Sequence, residues 1–262
     1  MLPALHWRRY AFHQPANGAP ILSDIDSATL QLILYSAGAG ACIVLGGLTA
    51  AFTHIQRRWL DDELRHFVIA LGAGILIGAV AMVLVPEALE AMSHSLWAMA
   101  FLLGGGLIFF ILERYLAIKR RSAPQLTGML LDYLPESMAL GGIIASGSGE
   151  AALLAVLIGL QNLPEGFNTY RELVDSGRKR KSVLLLMVML IPLGPLFALG
   201  GYSVLNGQDT ALGAVLLLAS GGILYLVFQD IAPQVKLSKH WAPPLGAVFG
   251  FALAMLGTLL TH

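Results

Sequence analysis

The chain has 262 residues, of which 56% are hydrophobic and 12% are charged, and its mean hydropathy is +0.73. A soluble domain carries about 25% charged residues, so this composition predicts an integral membrane protein. The net charge is zero, which gives no indication of a nucleic-acid partner. The single cysteine, Cys42, excludes an intramolecular disulfide framework.

The beginning of the chain differs from the rest. Residues 1–28 contain three prolines and several charged side chains, without an apolar run long enough for the core of a signal peptide. We predict an extramembrane N-terminal segment here. Residues 29–262 are predicted to form one transmembrane domain, because their apolar runs are joined by short connections.

Eight apolar runs make up this domain, and a helix needs about 20 residues to span a bilayer. The runs are 29–52, 67–86, 95–118, 126–146, 151–170, 182–205, 210–233 and 242–260. We therefore predict an all-α integral membrane protein of eight transmembrane helices, with sequence neighbours antiparallel in space.

The basic residues predict the orientation of these helices. If the amino terminus lies outside, fourteen of the sixteen lysines and arginines fall in the connections on the inner side. Cytoplasmic connections of membrane proteins are enriched in these residues. The bias predicts an even number of spans and both termini on the outer face.

The fourth and fifth runs share a polar motif. Asp132 and Glu136 lie in the fourth run, and Gln161 and Glu165 lie in the fifth. Residues four positions apart share one helix face, so each pair points the same way. A charge at the centre of a spanning helix costs roughly 3 kcal/mol, and such residues usually face a protein interior or a water-filled path. The motif therefore predicts four potential ligands around a polar cavity.

A proline directly precedes each of the two glutamates. Pro135 and Pro164 cannot donate a backbone hydrogen bond to the carbonyl four residues earlier. Unwound backbone is tolerated at membrane depth only where protein or a polar cavity satisfies it. We expect both helices to be broken at the cavity.

The four predicted ligands are three carboxylates and one amide. An all-oxygen set suits Mn²⁺, Mg²⁺ or Fe²⁺, while Zn²⁺ also accepts carboxylates and binds with high affinity. The residues favour a site that binds several divalent cations, with a preference for manganese or iron and with zinc as a remaining alternative. A purely structural alternative is that these carboxylates only hydrogen-bond each other.

Two further acidic residues lie near prolines at the ends of spans. Glu87 follows Pro86 in the second run, and Asp230 precedes Pro233 in the seventh. The two segments look like counterparts in a 3+2+3 arrangement, where outer repeats flank the fourth and fifth helices, a weak internal symmetry typical of secondary transporters. Each residue could belong to an ion pathway or could simply contact lipid headgroups.

The two Pro-Glu motifs resemble the paired fourth- and fifth-helix signatures of the ZIP (Zrt/Irt-like) family of divalent metal transporters. Eight spans, outer termini and the sequence Pro192-Leu193-Gly194 are similar too. The resemblance implies a primary metal site and a secondary position at Asn162. The implied primary ligands are Asp132, Glu136, Gln161 and Glu165.

The chain departs from the family pattern at three positions. Asp132 stands where the family usually has histidine, Tyr133 where it has asparagine, and Ile191 where many members have glutamate. The last two departures remove ligands of a second metal position. We therefore expect one dominant ion instead of a binuclear pair.

The resemblance implies transport of divalent cations of the zinc, iron and manganese class into the cytoplasm, by alternating access at a midplane site. The metal is the transported substrate, not a catalytic cofactor, and we expect no enzymatic activity. The expected location is a bacterial cytoplasmic (inner) membrane. The expected partners are metal ions and the lipid bilayer, with no nucleic acid, and the chain could form a homodimer. Residues expected along the ion route are Glu87, Asn162, Asn168 and Asp230.

The alternative function is an intramembrane metal-dependent hydrolase. Such an enzyme would need a histidine-containing site with an open coordination position. The sequence contains neither His-Glu-x-x-His nor Gly-x-Ser-x-Gly, and no histidine lies in the two motifs. Metal flux into sealed vesicles would separate the two functions, because only a carrier moves ions.

Overall fold

The computed structural model describes residues 21–53, 58–118, 123–235 and 241–261. These residues form helices and connections without a strand, so the predicted all-α fold is confirmed for the described part of the chain. The predicted orientation also uses basic residues that lie outside the described part of the chain, namely Arg57, Lys119, Arg120, Arg121, Lys236 and Lys239. Residues 1–20 of the predicted extramembrane segment also lie outside them.

Eight helical segments, named here α1 to α8, cover the described residues. Three of them are composite: α2 and α7 each contain a π-helical stretch, and α6 is interrupted by a turn into α6a and α6b. The segments are α1 Ile21–Phe52; α2 Arg58–Ala79, Val80–Leu84 (π) and Val85–Ala91; α3 Trp97–Ile118; α4 Pro124–Ser146; α5 Ala151–Asp175; α6a Arg180–Leu190 and α6b Leu193–Leu205; α7 Asp209–Leu226, Val227–Ile231 (π) and Ala232–Val235; and α8 Leu245–Thr261.

Each predicted apolar run falls on one of these helices, but α1 and α2 begin eight and nine residues before their predicted runs, and α8 begins three residues after its run. Helix α1 begins at Ile21, so part of the segment predicted to lie outside the membrane is helical. Among the described residues, five helices are long and apolar enough to cross a membrane, namely Ser27–Phe52, Glu63–Ala91, Trp97–Ile118, Arg180–Leu205 and Asp209–Val235. Helix α8 is apolar but shorter. Helices α4 and α5, which carry the polar motif, are not among the five.

The helices pack as two groups. Helix α1 packs along α5, and α4 packs along α6b, with further contacts between α4 and α5 and between α1 and α6. In the second group α2 packs along α8, and α3 packs along α7. The groups meet mainly where α2 contacts α5 and where α7 contacts α4. The polar motif therefore belongs to the first group and faces the junction with the second.

Helices α1 and α5 cross at very short distance beside the second motif. A Cβ atom added at Gly166 would lie 2.2 Å from the Ile43 carbonyl oxygen, and one added at Gly46 would lie 2.1 Å from the Leu163 carbonyl oxygen. Small residues permit such backbone approach, which drives helix association in lipid. Glycine at these positions fixes α5 against α1 next to Glu165.

The predicted breaks at Pro135 and Pro164 are wrong, because both residues lie inside uninterrupted α-helix. Proline removes only one backbone hydrogen bond, and both helices pack along a neighbour, α4 along α6b and α5 along α1. The irregular backbone lies elsewhere, in the π-helical stretches of α2 and α7 and in the turn at Ile191 and Pro192 between α6a and α6b.

Candidate functional site

Helices α4 and α5 are antiparallel neighbours, and each carries a stripe of mainly polar side chains with the same spacing, called here the polar stripe. Steps of four, three and four residues keep side chains on one helix face. The stripe on α4 consists of Gln125, Met129, Asp132 and Glu136. The stripe on α5 consists of Gln161, Glu165, Asn168 and Glu172. In antiparallel register the stripes pair from one end to the other, beginning with Glu136 beside Gln161 and ending with Gln125 beside Glu172.

Hydrogen bonds at both ends fix this register. At one end the Gln161 side-chain amide donates to the Glu136 carboxylate. At the other end the Glu172 carboxylate accepts from the backbone N–H groups of Gln125, at 3.1 Å, and Leu126, at 3.4 Å. Glu172 thereby caps the amino terminus of α4, where backbone donors lack partners within the helix.

The three acidic residues of the motif lie within electrostatic range of one another. The charges of Asp132 and Glu165 interact with each other, and each also interacts with that of Glu136. Asp132, Glu136 and Gln161 are 3%, 0% and 0% exposed, and Glu165 is half-buried. The structure therefore brings Gln161 and Glu136 into contact and places Asp132 and Glu165 within electrostatic range of Glu136 in the interior of the protein.

These side chains hold oxygen atoms without a hydrogen-bond partner in the structure. They are Asp132 Oδ1, Glu136 Oε1, Gln161 Oε1 and both carboxylate oxygens of Glu165. Buried polar atoms are nearly always hydrogen-bonded, because leaving one unpaired costs about 1–3 kcal/mol and more for a charged group. A cluster of unpaired acceptors with up to three negative charges has the chemistry to receive a cation.

The side chains are not arranged as a finished coordination sphere. The described residues contain no group of three or more histidine, cysteine, aspartate or glutamate side chains that could hold a metal ion as they stand. Within the motif, the Gln161 amide gives its N–H to Glu136, so it turns a donor instead of an acceptor toward that carboxylate. A cation that uses both residues must replace this hydrogen bond.

The two asparagines on α5 have different surroundings. Asn162 faces α1, where its side-chain N–H donates to the Ala39 carbonyl oxygen at 2.8 Å. Asn168 lies on the polar stripe and donates to the Pro164 carbonyl oxygen at 2.9 Å. Both are buried, and the Oδ1 atom of each is without a hydrogen-bond partner in the structure. Asn168 continues the stripe from Glu165 toward Glu172, whereas Asn162 joins α5 to α1.

The two acidic residues next to prolines lie in different places relative to the motif. Asp230, in the π-helical stretch of α7, is half-buried, and its charge interacts with that of Asp132. Glu87, on α2, accepts a hydrogen bond from the Ser148 hydroxyl at 2.9 Å. Since Ser148 lies in the connection from α4 to α5, Glu87 contacts the end of the motif helices and not their centre.

Glu113 on α3 is not among the predicted site residues. It is only 4% exposed, and its charge interacts with that of Asp132. It continues a row of buried residues spaced by four, after Gly105 and Phe109. That spacing from a small residue is the sequence signal that could have identified Glu113 as a buried acid.

Tyr133 is fully buried and fills the space between α1 and α6b. Its hydroxyl lies 3.5 Å from the carbonyl oxygens of both Ser36 and Ile191. A Cβ atom at Gly194 would lie 2.1 Å from this hydroxyl. Tyr133 and Ile191 are two positions at which the chain departs from the ZIP pattern, and they contact each other in the structure.

No protein-family model matches this chain, and no curated protein is significantly similar to it in sequence. We therefore infer the class of this protein from its structure alone. Its described part is an all-helical bundle that has five helices of membrane-spanning length and hydropathy and a buried cluster of carboxylates.

Proposed function

We propose that this protein is a transporter of divalent metal cations, of the ZIP family, and that it carries ions of the zinc, iron and manganese class into the cytoplasm. The observation that supports the proposal best is the set of unpaired oxygen atoms of Asp132, Glu136, Gln161 and Glu165 inside an apolar helical bundle. Ionisable residues in such surroundings are rare, and they mark ion or substrate pathways.

The proposed membrane arrangement has eight spans in a 3+2+3 order with both termini outside. Four of the five apolar helices, α1, α2, α6 and α7, contact α4 or α5, so the motif helices are shielded by the others and need less apolar surface of their own. Large exposed hydrophobic side chains, among them Leu103 and Leu107 on α3 and Phe249 on α8, suit contact with lipid. The expected location is the inner membrane of a bacterium.

The proposed site holds one ion, with oxygen ligands from four side chains. Carboxylate and amide oxygens bind Mn²⁺ and Fe²⁺ well and accept Zn²⁺. The buried Tyr133 ring supports a single position, because it fills the space beside Ile191 where the family pattern would place further ligands.

The proposed route inward follows the stripes of α4 and α5. Asn168 Oδ1 is the next buried unpaired oxygen beyond Glu165, and Asp230 and Glu113 add negative charge on the side of Asp132. The contact of Glu172 with the first residues of α4 closes the inner end of this route. Alternating exposure of the site to the two sides would then move the ion without an open channel.

Radiolabelled Mn²⁺ uptake into sealed proteoliposomes tests the proposal. Glu136→Gln and Glu165→Gln keep the side-chain size and remove a charge, so each should abolish uptake. Glu90→Gln is the matched control, because Glu90 is exposed and should not affect flux. Uptake by both site variants at the rate of the unaltered protein would refute the site, and metal binding without flux would favour the metal-dependent hydrolase.

A further inference from the structure

Helices α2 and α7 contain the same irregular element at the same spacing from a proline. Each has five π-helical residues, Val80–Leu84 and Val227–Ile231, and the proline follows the last of them by two positions. In each case a backbone N–H group bonds to a carbonyl five residues earlier, from Val85 to Val80 and from Ala232 to Val227. The two halves of the chain thus repeat one local structure.

The residue after each proline bonds to a polar side chain at an end of α4. After Pro86, the Glu87 carboxylate accepts from the Ser148 hydroxyl at 2.9 Å. After Pro233, the Gln234 side-chain oxygen accepts from the Gln125 side-chain amide at 2.8 Å. Gln125 is the second residue of α4, and Ser148 lies just beyond its carboxyl end, so the two bonds are at opposite ends of one helix.

Both hydrogen bonds join the two helix groups. Helix α4 packs in the group of α1, α5 and α6, whereas α2 and α7 belong to the group of α3 and α8. We propose that the Glu87–Ser148 and Gln125–Gln234 bonds are paired end latches, each of which holds the groups together on one side of the protein. This inference rests on the proposed transport function, in which the groups separate at one end at a time.

The π-helical stretches suit such a role. One extra residue in a turn rotates everything after it by about 100° around the helix axis, because an α-helix has about 3.6 residues per turn. Return of a π stretch to regular α-helix would therefore turn Glu87 or Gln234 away from α4. Single π turns inside helices occur frequently at functional sites. A change from π-helix to α-helix would therefore break the hydrogen bond of each latch.

Distance measurements between spin labels test the latches without any flux assay. In a Cys42→Ala background, Glu90→Cys with Gly149→Cys reports the end near Ser148, and Asp175→Cys with Ala232→Cys reports the end near Gln125. All four labelled positions are exposed.

Ser148→Ala should increase the separated population about five-fold at the first pair, as expected for loss of the one hydrogen bond that joins the groups. The bond that the Ser148 hydroxyl accepts from the Glu150 N–H at 3.2 Å is also lost, but it lies within the connection from α4 to α5. Gln125→Met should do the same at the second pair only. Ser203→Ala and Gln208→Met are the matched controls, because both side chains are exposed and the Ser203 hydroxyl bonds only within its own helix. Glu87→Ala and Gln234→Met remove the acceptors and should reproduce the two results.

Separation at the wrong end, at both ends together, or at neither end would overturn the latch proposal. The outcome is independent of transport: end-specific separation in a protein that moves no metal would sustain the latches and refute the transporter. Metal flux with unchanged distances between the spin labels in all four latch variants would sustain the transporter and refute the latches.

Discussion

The short crossing of α1 over α5 predicts a large effect from one methyl group. In Gly166→Ala the new Cβ atom would lie 2.2 Å from the Ile43 carbonyl oxygen, whereas ordinary contact begins at 3.4 Å. The obstacle is backbone, so it cannot be relieved by a side-chain rotation and the helices must move apart. Overpacking costs about 1–3 kcal/mol, and we expect the upper part of this range because the obstacle is backbone. Alanine gains roughly 1 kcal/mol over glycine in a helix, which leaves a net loss of about 1–2 kcal/mol.

The expected loss can be measured as a lower melting temperature of the purified protein in detergent. For a chain of this size 1 kcal/mol corresponds to about 2–4 °C, so a net loss of about 1–2 kcal/mol should lower the melting temperature of Gly166→Ala by about 2 to 8 °C. The control is Gly38→Ala in α1, where a Cβ atom would meet nothing within 4 Å. That variant should keep or slightly raise the melting temperature, because only the helix propensity changes.

The same substitution should also reduce metal uptake, because Gly166 directly follows Glu165 and a displaced α5 carries that carboxylate away from α4. Equal melting temperatures for Gly166→Ala and Gly38→Ala would show that the crossing is looser than described. Unchanged uptake at a lower melting temperature would show that the position of Glu165 does not depend on α1.

Three further predictions concern the polar stripes. Gln161→Glu replaces the amide that donates to Glu136 by a fourth acid, so the metal-free protein should melt at a lower temperature. Mn²⁺ should raise the melting temperature of this variant more than that of the unaltered protein. Equal Mn²⁺-induced shifts in melting temperature would contradict this prediction. Glu172→Ala removes the side chain that caps α4 and should lower the free energy of unfolding by about 1 kcal/mol. Asp175→Ala, at an exposed position of α5, which also carries Glu172, should leave it unchanged. Equal losses of stability in the two variants would argue against the cap. Asp132→His adds a nitrogen ligand and should shift uptake toward Zn²⁺ in competition with Mn²⁺, and an unchanged ratio would place Asp132 outside the ion's ligand set.

Hydropathy and spacing predicted the helices and the interior position of the two motif pairs, of which Glu136 and Gln161 are in contact. Long apolar runs leave few alternatives to helix, and the i, i+4 rule fixes the direction of Asp132 and Glu136 relative to each other without any tertiary information. Antiparallel packing of two adjacent helices then brings their stripes together. These features depend on local chemistry, which a single sequence contains.

Features that depend on tertiary packing were not predictable in the same way. The π-helical stretch before Pro86 has no residue pattern that separates it from α-helix. Only the second π-helical stretch, before Pro233, shows that this element recurs in the chain. The uninterrupted helix at Pro164 depends on neighbours that stabilise the surrounding turns. The burial of Tyr133 depends on Gly194, which is distant in sequence and lacks the Cβ atom that would exclude the hydroxyl.

The hydrogen bond between Gln161 and Glu136 bears on how a transporter could release its ion. Three carboxylates close together in a low-dielectric interior attract a divalent cation strongly, and a site that binds too tightly would retain it. The Gln161 amide gives Glu136 an alternative partner when no cation is bound, which stabilises the empty site and lowers the net affinity for metal. An ion must displace this N–H group on binding, and the same group can recapture the carboxylate as the ion leaves. In the proposed transporter Gln161 would therefore serve as a competitor for Glu136 as well as a ligand.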